Sequence, residues 1–335
     1  MTHAILTDPG LSGFQYGMLV DLQDEIARIT GGTLVPTPPS RVPRLSRRFG
    51  HGTRYAPLRT LLPKSTFPVR ADVLWVPLMG PENCILDVLK EWDRHVGYKV
   101  LYLFDTMERQ ISSIRKLLAM TRWDIAITSF SGARIFLEDR TQRPWHAVPQ
   151  GVKLDRFVTR PPSDRMIGFC SYGRRLPRIH EILKAFCLKS GHYYDYSMTT
   201  EIQHGVDPRD HYKQYAWHLS HSAFNICWPV EVTAPDRAGD FSPITCRWFE
   251  AAACGNVIIG EAPRDQGFAE MFGPDAVMRL DYRAPKKQIE DVLREAWEAR
   301  DTLLGRAAER SSQYSASWSW ASRVHEMVRL LSKAL

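Results

Sequence analysis

Short runs rich in β-branched and aromatic residues recur along the chain with helix-length segments between them, and this alternation narrows the possible folds more than any other feature. In the first half the runs are HAILT (3–7), ADVLWVPL (71–78), KVLYLFD (99–105), DIAITSF (124–130) and HAVPQ (146–150). Strands separated by helices lie parallel and are covered on both faces, because a parallel neighbour is reached only through a crossover. After RPP (160–162) the pattern begins again with MIGFC (166–170), YYDYS (193–197), AFNICWP (223–229), NVIIGE (256–261) and AVMRLD (276–281). At 335 residues the chain exceeds the roughly 100 to 200 usual for one domain, so two such sheets fit. The expected fold is α/β, with two doubly wound, Rossmann-like parallel sheets in residues 1–160 and 161–312 and a C-terminal segment 313–335. In that last segment Trp320, Val324, Met327, Val328 and Leu331 form the stripe of an amphipathic helix, and the polar stretch ERSSQYSAS before it would let the helix cross elsewhere.

Residues 31–70 fit neither sheet. Seven prolines (Pro36, Pro38, Pro39, Pro43, Pro57, Pro63, Pro68) interrupt any long helix or central strand, so the segment reads as an excursion from the first domain. It also holds Arg41, Arg44, Arg47, Arg48, Arg54, Arg59, Lys64 and Arg70 with no Asp or Glu, a local charge of +8 in a chain of net charge +7, which leaves −1 elsewhere. Two readings stand: a solvated basic loop, or a surface that meets an anionic acceptor or a lipid headgroup layer. Its aromatics are few (Phe49, Tyr55, Phe67) and no nucleic-acid-binding module is recognisable, which ranks that class of partner low.

No apolar run reaches the roughly 18 residues that cross a bilayer. The start MTHAILTDPG lacks a basic n-region and has too short an apolar stretch for a signal peptide. A cytoplasmic protein is expected, peripheral at the inner membrane face if residues 31–70 meet headgroups. The six cysteines form no C-x-x-C pair and read as buried free thiols. The eleven histidines show no metal-ligand spacing, which argues against zinc.

One candidate site lies in SPITCRWFEAAACGNVIIGEAP (242–263). Ser242 followed by Pro243 is a helix-start signal and Gly255 the matching stop. A helix over 243–254 would set Arg247 and Glu250 one turn apart on one face. Its positive start favours a phosphate, and a carboxylate farther in can accept two adjacent sugar hydroxyls. The plainer alternative is a surface ion pair. A second candidate is SYGRRLPRIHEIL, directly after the strand MIGFC, with Arg174, Arg175 and Arg178. Turns after parallel strands are where such sheets bind ligands, and arginine suits bidentate phosphate contact.

These residues carry a resemblance to the group 1 glycosyltransferases of the GT-B architecture, and within them to the branch related to spore-maturation glycosyltransferases. It rests on HAVPQGVKLDRF (146–157), GFCSYGRRLPRIHEIL (168–183) and RWFEAAACGNVIIGE (247–261) with its R-x-x-E-x-x-A-x-G pattern. SASWSWASRVHEMVRLL also resembles the family's last helix, which crosses back to the N-terminal domain. The resemblance implies transfer of a sugar from a nucleotide diphosphate sugar held by the C-terminal domain to an acceptor on the N-terminal one. Glu250 would bind the nucleotide ribose. Arg174, Arg175 and Arg178 would neutralise the diphosphate, assisted by Arg247, Ser242 and, in the glycine-rich turn TDPGLSGFQYG (7–17), Gly13. The chain has no D-x-D triplet, so arginines and a helix dipole would replace a metal, and no cofactor is expected. One departure stands out: many retaining members carry a glutamate eight positions before that of Glu250, and here the position is Ser242. Neither the sugar nor retention of configuration carries over.

Asp105 ends the run KVLYLFD, at a place that faces the cleft in such a sheet. If the reaction inverts, Asp105 is the first candidate for the general base on the acceptor hydroxyl and Asp8 the second; Asp105 reads equally well as an N-cap for a helix near Met107. The function expected is sugar transfer to a glycan or lipid-linked glycan precursor. Alternatives are a nucleotide-sugar epimerase, a non-catalytic binding protein of the same fold, and last a nucleic-acid-binding protein.

Overall fold

The structure is a computed structural model that describes residues 1–11, 16–37, 65–81, 86, 89–196 and 206–335. Gly13, Cys84 and the stretch 38–64, which holds all but the ends of the basic excursion, lie outside the described residues. The chain divides into two compact units, Met1–Pro149 with Arg323–Leu335, and Gln150–Ser322.

In the first unit the strands are β1 (His3–Thr7), β2 (Thr33–Pro36), β3 (Ser65–Thr66), β4 (Arg70–Leu78), β5 (Leu89–Lys90), β6 (His95–Leu103), β7 (Ile125–Thr128) and β8 (His146–Ala147). Six of them form one sheet in the order β2-β1-β4-β6-β7-β8, and β3 pairs with β5. Every pairing is parallel. Residues Val73 to Leu78 and Val100 to Leu103 are buried without interruption, as strands covered on both faces must be. Pro36 closes β2, which lies at the sheet edge, where a missing N–H removes no ladder bond.

The second unit holds β9 (Ile167–Ser171), β10 (Tyr194–Tyr196), β11 (Ser222–Cys227), β12 (Val257–Gly260) and β13 (Val277–Arg279), a parallel sheet in the order β10-β9-β11-β12-β13. Phe169 and Phe224 stack at 4.9 Å in its core, against Leu183, Ile259 and Leu293. Each such buried side chain contributes about 1.5–3 kcal/mol. The free cysteines Cys170, Cys187, Cys227, Cys246 and Cys254 are all buried in this unit.

Residues 150–160 belong to the second unit, although the strand pattern begins again only after 160. Their contacts explain it: Thr159 donates to the Ala253 carbonyl at 3.0 Å, and Phe157 sits edge-on to Tyr212 at 5.2 Å. Val152 exchanges backbone hydrogen bonds with Trp318 and Trp320. At the other end, the polar stretch ERSSQYSAS is not a connector but part of the helix Arg300–Trp318. The break falls at Ser319, whose ψ of 143° is extended, and the helix Trp320–Ala334 follows. Trp320, Val324, Met327 and Leu331 are buried, as the stripe predicts.

Candidate functional site

Parallel sheets bind ligands outside the carboxyl ends of their strands, at the point where successive connections leave in opposite directions. In the second unit that point lies between β9 and β11, because β10 flanks β9 on one side and β11 on the other. Three turns share this edge: Tyr172 to Arg175 after β9, Trp228 to Glu231 after β11, and Glu261 to Arg264 after β12.

The first turn passes through Gly173 at φ 76°, a left-handed conformation that suits glycine. Arg247 braces it, since Nη1 donates to the carbonyl oxygens of Tyr172 at 3.2 Å and Arg174 at 3.3 Å. From below, the Tyr172 hydroxyl donates to Asp195 Oδ2 at 2.5 Å, and His218 Nδ1 lies 2.5 Å from the same oxygen. Burial, followed by the bond to Asp195, pushes the Tyr172 phenol well up. Arg175 lies over the Tyr196 ring at 5.1 Å, and its Nη1 is buried without a hydrogen-bond partner among the described residues. Arg174 is half-buried beside it.

Arg178 is engaged within the protein. Its two terminal nitrogens donate to the carbonyls of Tyr282 and Ala284, each at 2.6 Å, so it ties the first turn of the helix Pro177–Ser190 to the loop after β13.

The helix start is also corrected. The helix runs Cys246–Ala253 with Thr245 at its N-cap, because the Ser242 hydroxyl is engaged elsewhere: it donates to Glu231 Oε1 and accepts the Arg264 N–H at 2.7 Å. Arg264 Nε lies 3.5 Å from that same carboxylate oxygen. Gly255 follows the helix at φ 63°, as expected of its stop.

Glu250 is buried and bonded within the protein. It is 1% exposed, Oε1 accepts the Tyr212 hydroxyl, and Oε2 accepts the Tyr215 hydroxyl at 2.9 Å. Both tyrosines come from the helix Pro208–Ser220. Glu250 thus braces that helix against the helix Cys246–Ala253. Burial raises the Glu250 carboxyl above its ordinary value, more than the tyrosine bonds lower it. Arg247 and Glu250 turn to different partners, so the surface ion pair gives way as well.

In the first unit the corresponding point lies between β1 and β4. A cavity of about 20 Å³ opens there, lined by Thr7, Asp8, Leu11, Tyr16, Gln23 and Met79. Asp8 Oδ1 accepts the Gly10 N–H at 2.8 Å. Asp105 follows β6 and donates its N–H to the Met79 carbonyl at 2.8 Å. Asp8 and Asp105 thus stand at the carboxyl ends of the two strands that flank β4. The N-cap near this point is Met107, whose N–H donates to Gln110 Oε1 at 3.0 Å, so Asp105 does not serve as that cap. Among the described residues no group of three or more His, Cys, Asp or Glu could hold a metal ion, and no helix is long and apolar enough to cross a membrane.

The residues that spacing alone did not single out are Tyr212, Tyr215, Glu231, Asp195, His218 and Arg264. A carboxylate beside a strand end, as at Glu231, was the one available signal.

Residues 180–329 match the sequence profile of the glycosyl transferase-like family. No curated protein matches the chain in sequence. Among solved structures, an α,α-trehalose-phosphate synthase (UDP-forming) from Burkholderia vietnamiensis aligns with a TM-score of 0.59 at 12% identity, over 99% of each chain. Sucrose-phosphate synthase from Thermosynechococcus elongatus gives 0.58 at 11%, over 99% of this chain and 98% of its own. A trehalose-6-phosphate structure from E. coli bound with UDP-2-fluoro glucose gives 0.54 at 10%, over 99% of each. Residues 180–329 carry the glycosyl transferase-like pattern, and the whole chain has the GT-B fold of glycosyltransferases.

Proposed function

We propose that the chain moves a sugar from a nucleotide diphosphate sugar to a hydroxyl of a glycan or lipid-linked glycan precursor, as a member of the group 1 branch related to spore-maturation enzymes. The family match and the fold support sugar transfer. The observation that carries the donor side is the Tyr172–Arg175 turn, where Arg175 holds a buried nitrogen without a hydrogen-bond partner among the described residues. A diphosphate oxygen satisfies that nitrogen and receives further charge from Arg174. Arg247 acts through the turn that it braces. The E. coli structure solved with UDP-2-fluoro glucose adds support for a nucleotide sugar as donor.

In the reaction the bond from the anomeric carbon to the phosphate oxygen breaks, a bond to the acceptor oxygen forms, and the nucleoside diphosphate leaves against arginine charge without a metal. For an inverting course Asp105 takes the acceptor proton, with Asp8 as the second candidate. The basic segment 31–70 supplies the surface for an anionic acceptor or headgroup layer; charge reversal of Arg47 and Arg48 then lowers acceptor use while donor affinity stays unchanged.

The test is a thermal-shift and calorimetry screen against UDP, GDP, TDP, CDP and ADP with chelator present. Stabilisation by one of them is expected, followed by product analysis with its sugar conjugates to separate transfer from epimerisation. No response to any nucleotide overturns the reading.

A further inference from the structure

A second cluster at the carboxyl edge of the second unit's sheet takes no part in shaping the Tyr172–Arg175 turn. Glu231 follows β11, and its two oxygens have different surroundings. Oε1 accepts the Ser242 hydroxyl and lies 3.5 Å from Arg264 Nε, and the Arg264 N–H returns to Ser242 Oγ at 2.7 Å. This ring of contacts fixes the carboxylate. Oε2 is buried and has no hydrogen-bond partner among the described residues. An unpaired buried acceptor is costly, and more so when charged, so Oε2 favours a ligand that brings a donor.

The chemistry of that ligand follows from charge. A carboxylate repels phosphate, so the part of a ligand beside Glu231 is neutral and rich in O–H donors, while the arginines after β9 take the anionic part. Glu231 keeps 12% of its side chain exposed, and Arg264, the cation beside it, is 69% exposed, so a ligand reaches the carboxylate by moving a surface side chain.

We infer that Glu231 reads a hydroxyl of the donor's sugar through Oε2, with Ser242, itself held by the Arg264 backbone N–H, keeping the carboxylate in place; this rests on the nucleotide-sugar reading above. Glu231 then selects neutral sugars over acidic ones, because a sugar carboxylate would meet it charge to charge.

Calorimetry on the full chain tests this with the nucleoside diphosphate that binds, its neutral hexose conjugate and its hexuronate conjugate. Glu231→Ala is expected to lose about tenfold or more in affinity for the hexose conjugate, with Glu231→Gln between it and the wild type. Affinity for the bare diphosphate stays within about twofold in both, which also reports that they are folded. The hexuronate conjugate binds the wild type more weakly than the hexose conjugate, and Glu231→Gln narrows the gap. Equal losses for the diphosphate and the hexose conjugate would assign Glu231 to the nucleotide and overturn the inference, as would an unchanged hexose affinity. Should the Glu231 variants fail to fold, Ser242→Ala, which releases Oε1, is expected to give a smaller loss confined to the hexose conjugate; a loss shared with the diphosphate, or none, overturns it. A wild type that binds no diphosphate at all would instead fail the nucleotide-sugar reading itself, so the two failures are distinguishable.

Discussion

Arg247 donates to the carbonyl oxygen of Tyr172 at 3.2 Å and so ties the first turn of one helix to the end of the first strand of its sheet. The same nitrogen reaches the Arg174 carbonyl at 3.3 Å, across the left-handed Gly173. Arg247→Ala is expected to lower nucleoside diphosphate affinity about tenfold, through loosening of the turn that presents Arg174 and Arg175. Arg247→Lys should recover part of the loss, because both bonds come from one nitrogen and an ammonium nitrogen carries three donors. Calorimetry checks both, and wild-type affinity in Arg247→Ala would remove the brace from the site.

Arg175 and Arg178 sit three positions apart yet predict opposite outcomes. Arg175→Ala should lose about tenfold or more in diphosphate affinity with little change in melting temperature. Arg178→Ala should keep the affinity and lose about 1–2 kcal/mol of stability, since it gives up two hydrogen bonds to the loop after β13. Paired titration and thermal melts separate the two roles.

Gly260 ends β12 with φ at 150°, and a Cβ built there would stand 1.8 Å from the Cys227 carbonyl oxygen of the neighbouring strand. Neither backbone can retreat without breaking the β11–β12 ladder. Gly260→Ala is expected to cost more than about 3 kcal/mol, seen as loss of soluble protein or a collapsed melting temperature. A variant that melts like the wild type would show that the strand ends shift freely.

Glu250 gives a pH signature. The folded state raises its carboxyl above the ordinary value of 4.5, so folding favours the protonated form. Below that value both states hold the proton and no penalty exists; as pH rises, the unfolded chain ionises first and the penalty grows until the folded group ionises too. Glu250→Gln carries no such penalty and keeps an acceptor for one tyrosine. The melting temperature of the wild type relative to Glu250→Gln should therefore fall from pH 4 towards pH 7, in the direction and range set by about 4.5. A difference that stays constant with pH would contradict the raised carboxyl. Diphosphate affinity should be the same in both proteins.

The sheets were legible in the sequence because their strands are buried on both faces and stand out as nearly continuous apolar runs, as in VLWVPL (73–78) and AFNICWP, where Asn225 is the one polar residue. The turn after β9 was legible because a glycine directly after a buried strand marks where the strand stops, and Gly173 takes the left-handed conformation there. The brace at Glu250 was not legible, because one-turn spacing from Arg247 says nothing about which helix lies opposite, and Tyr212 and Tyr215 arrive from more than thirty positions away. Ser242 misled for a similar reason. Its hydroxyl has several partners within reach, and Glu231, eleven positions upstream, with the Arg264 N–H, took the bonds that a helix cap would have made. Arg178 reads in one dimension like its neighbours, and only the loop after β13 sets it apart.

The buried cysteines of the second unit have a practical consequence. Burial shields the thiols of Cys187 and Cys227 and also pushes each up to about 12, so neither yields thiolate to a reagent while the sheet is closed. Once Cys84 is replaced, the rate at which a thiol probe labels the chain becomes a clock for opening of the second unit's sheet alone. A bound donor would slow that clock in proportion to its occupancy, which turns a labelling time course into a ligand assay that needs neither an acceptor nor a product.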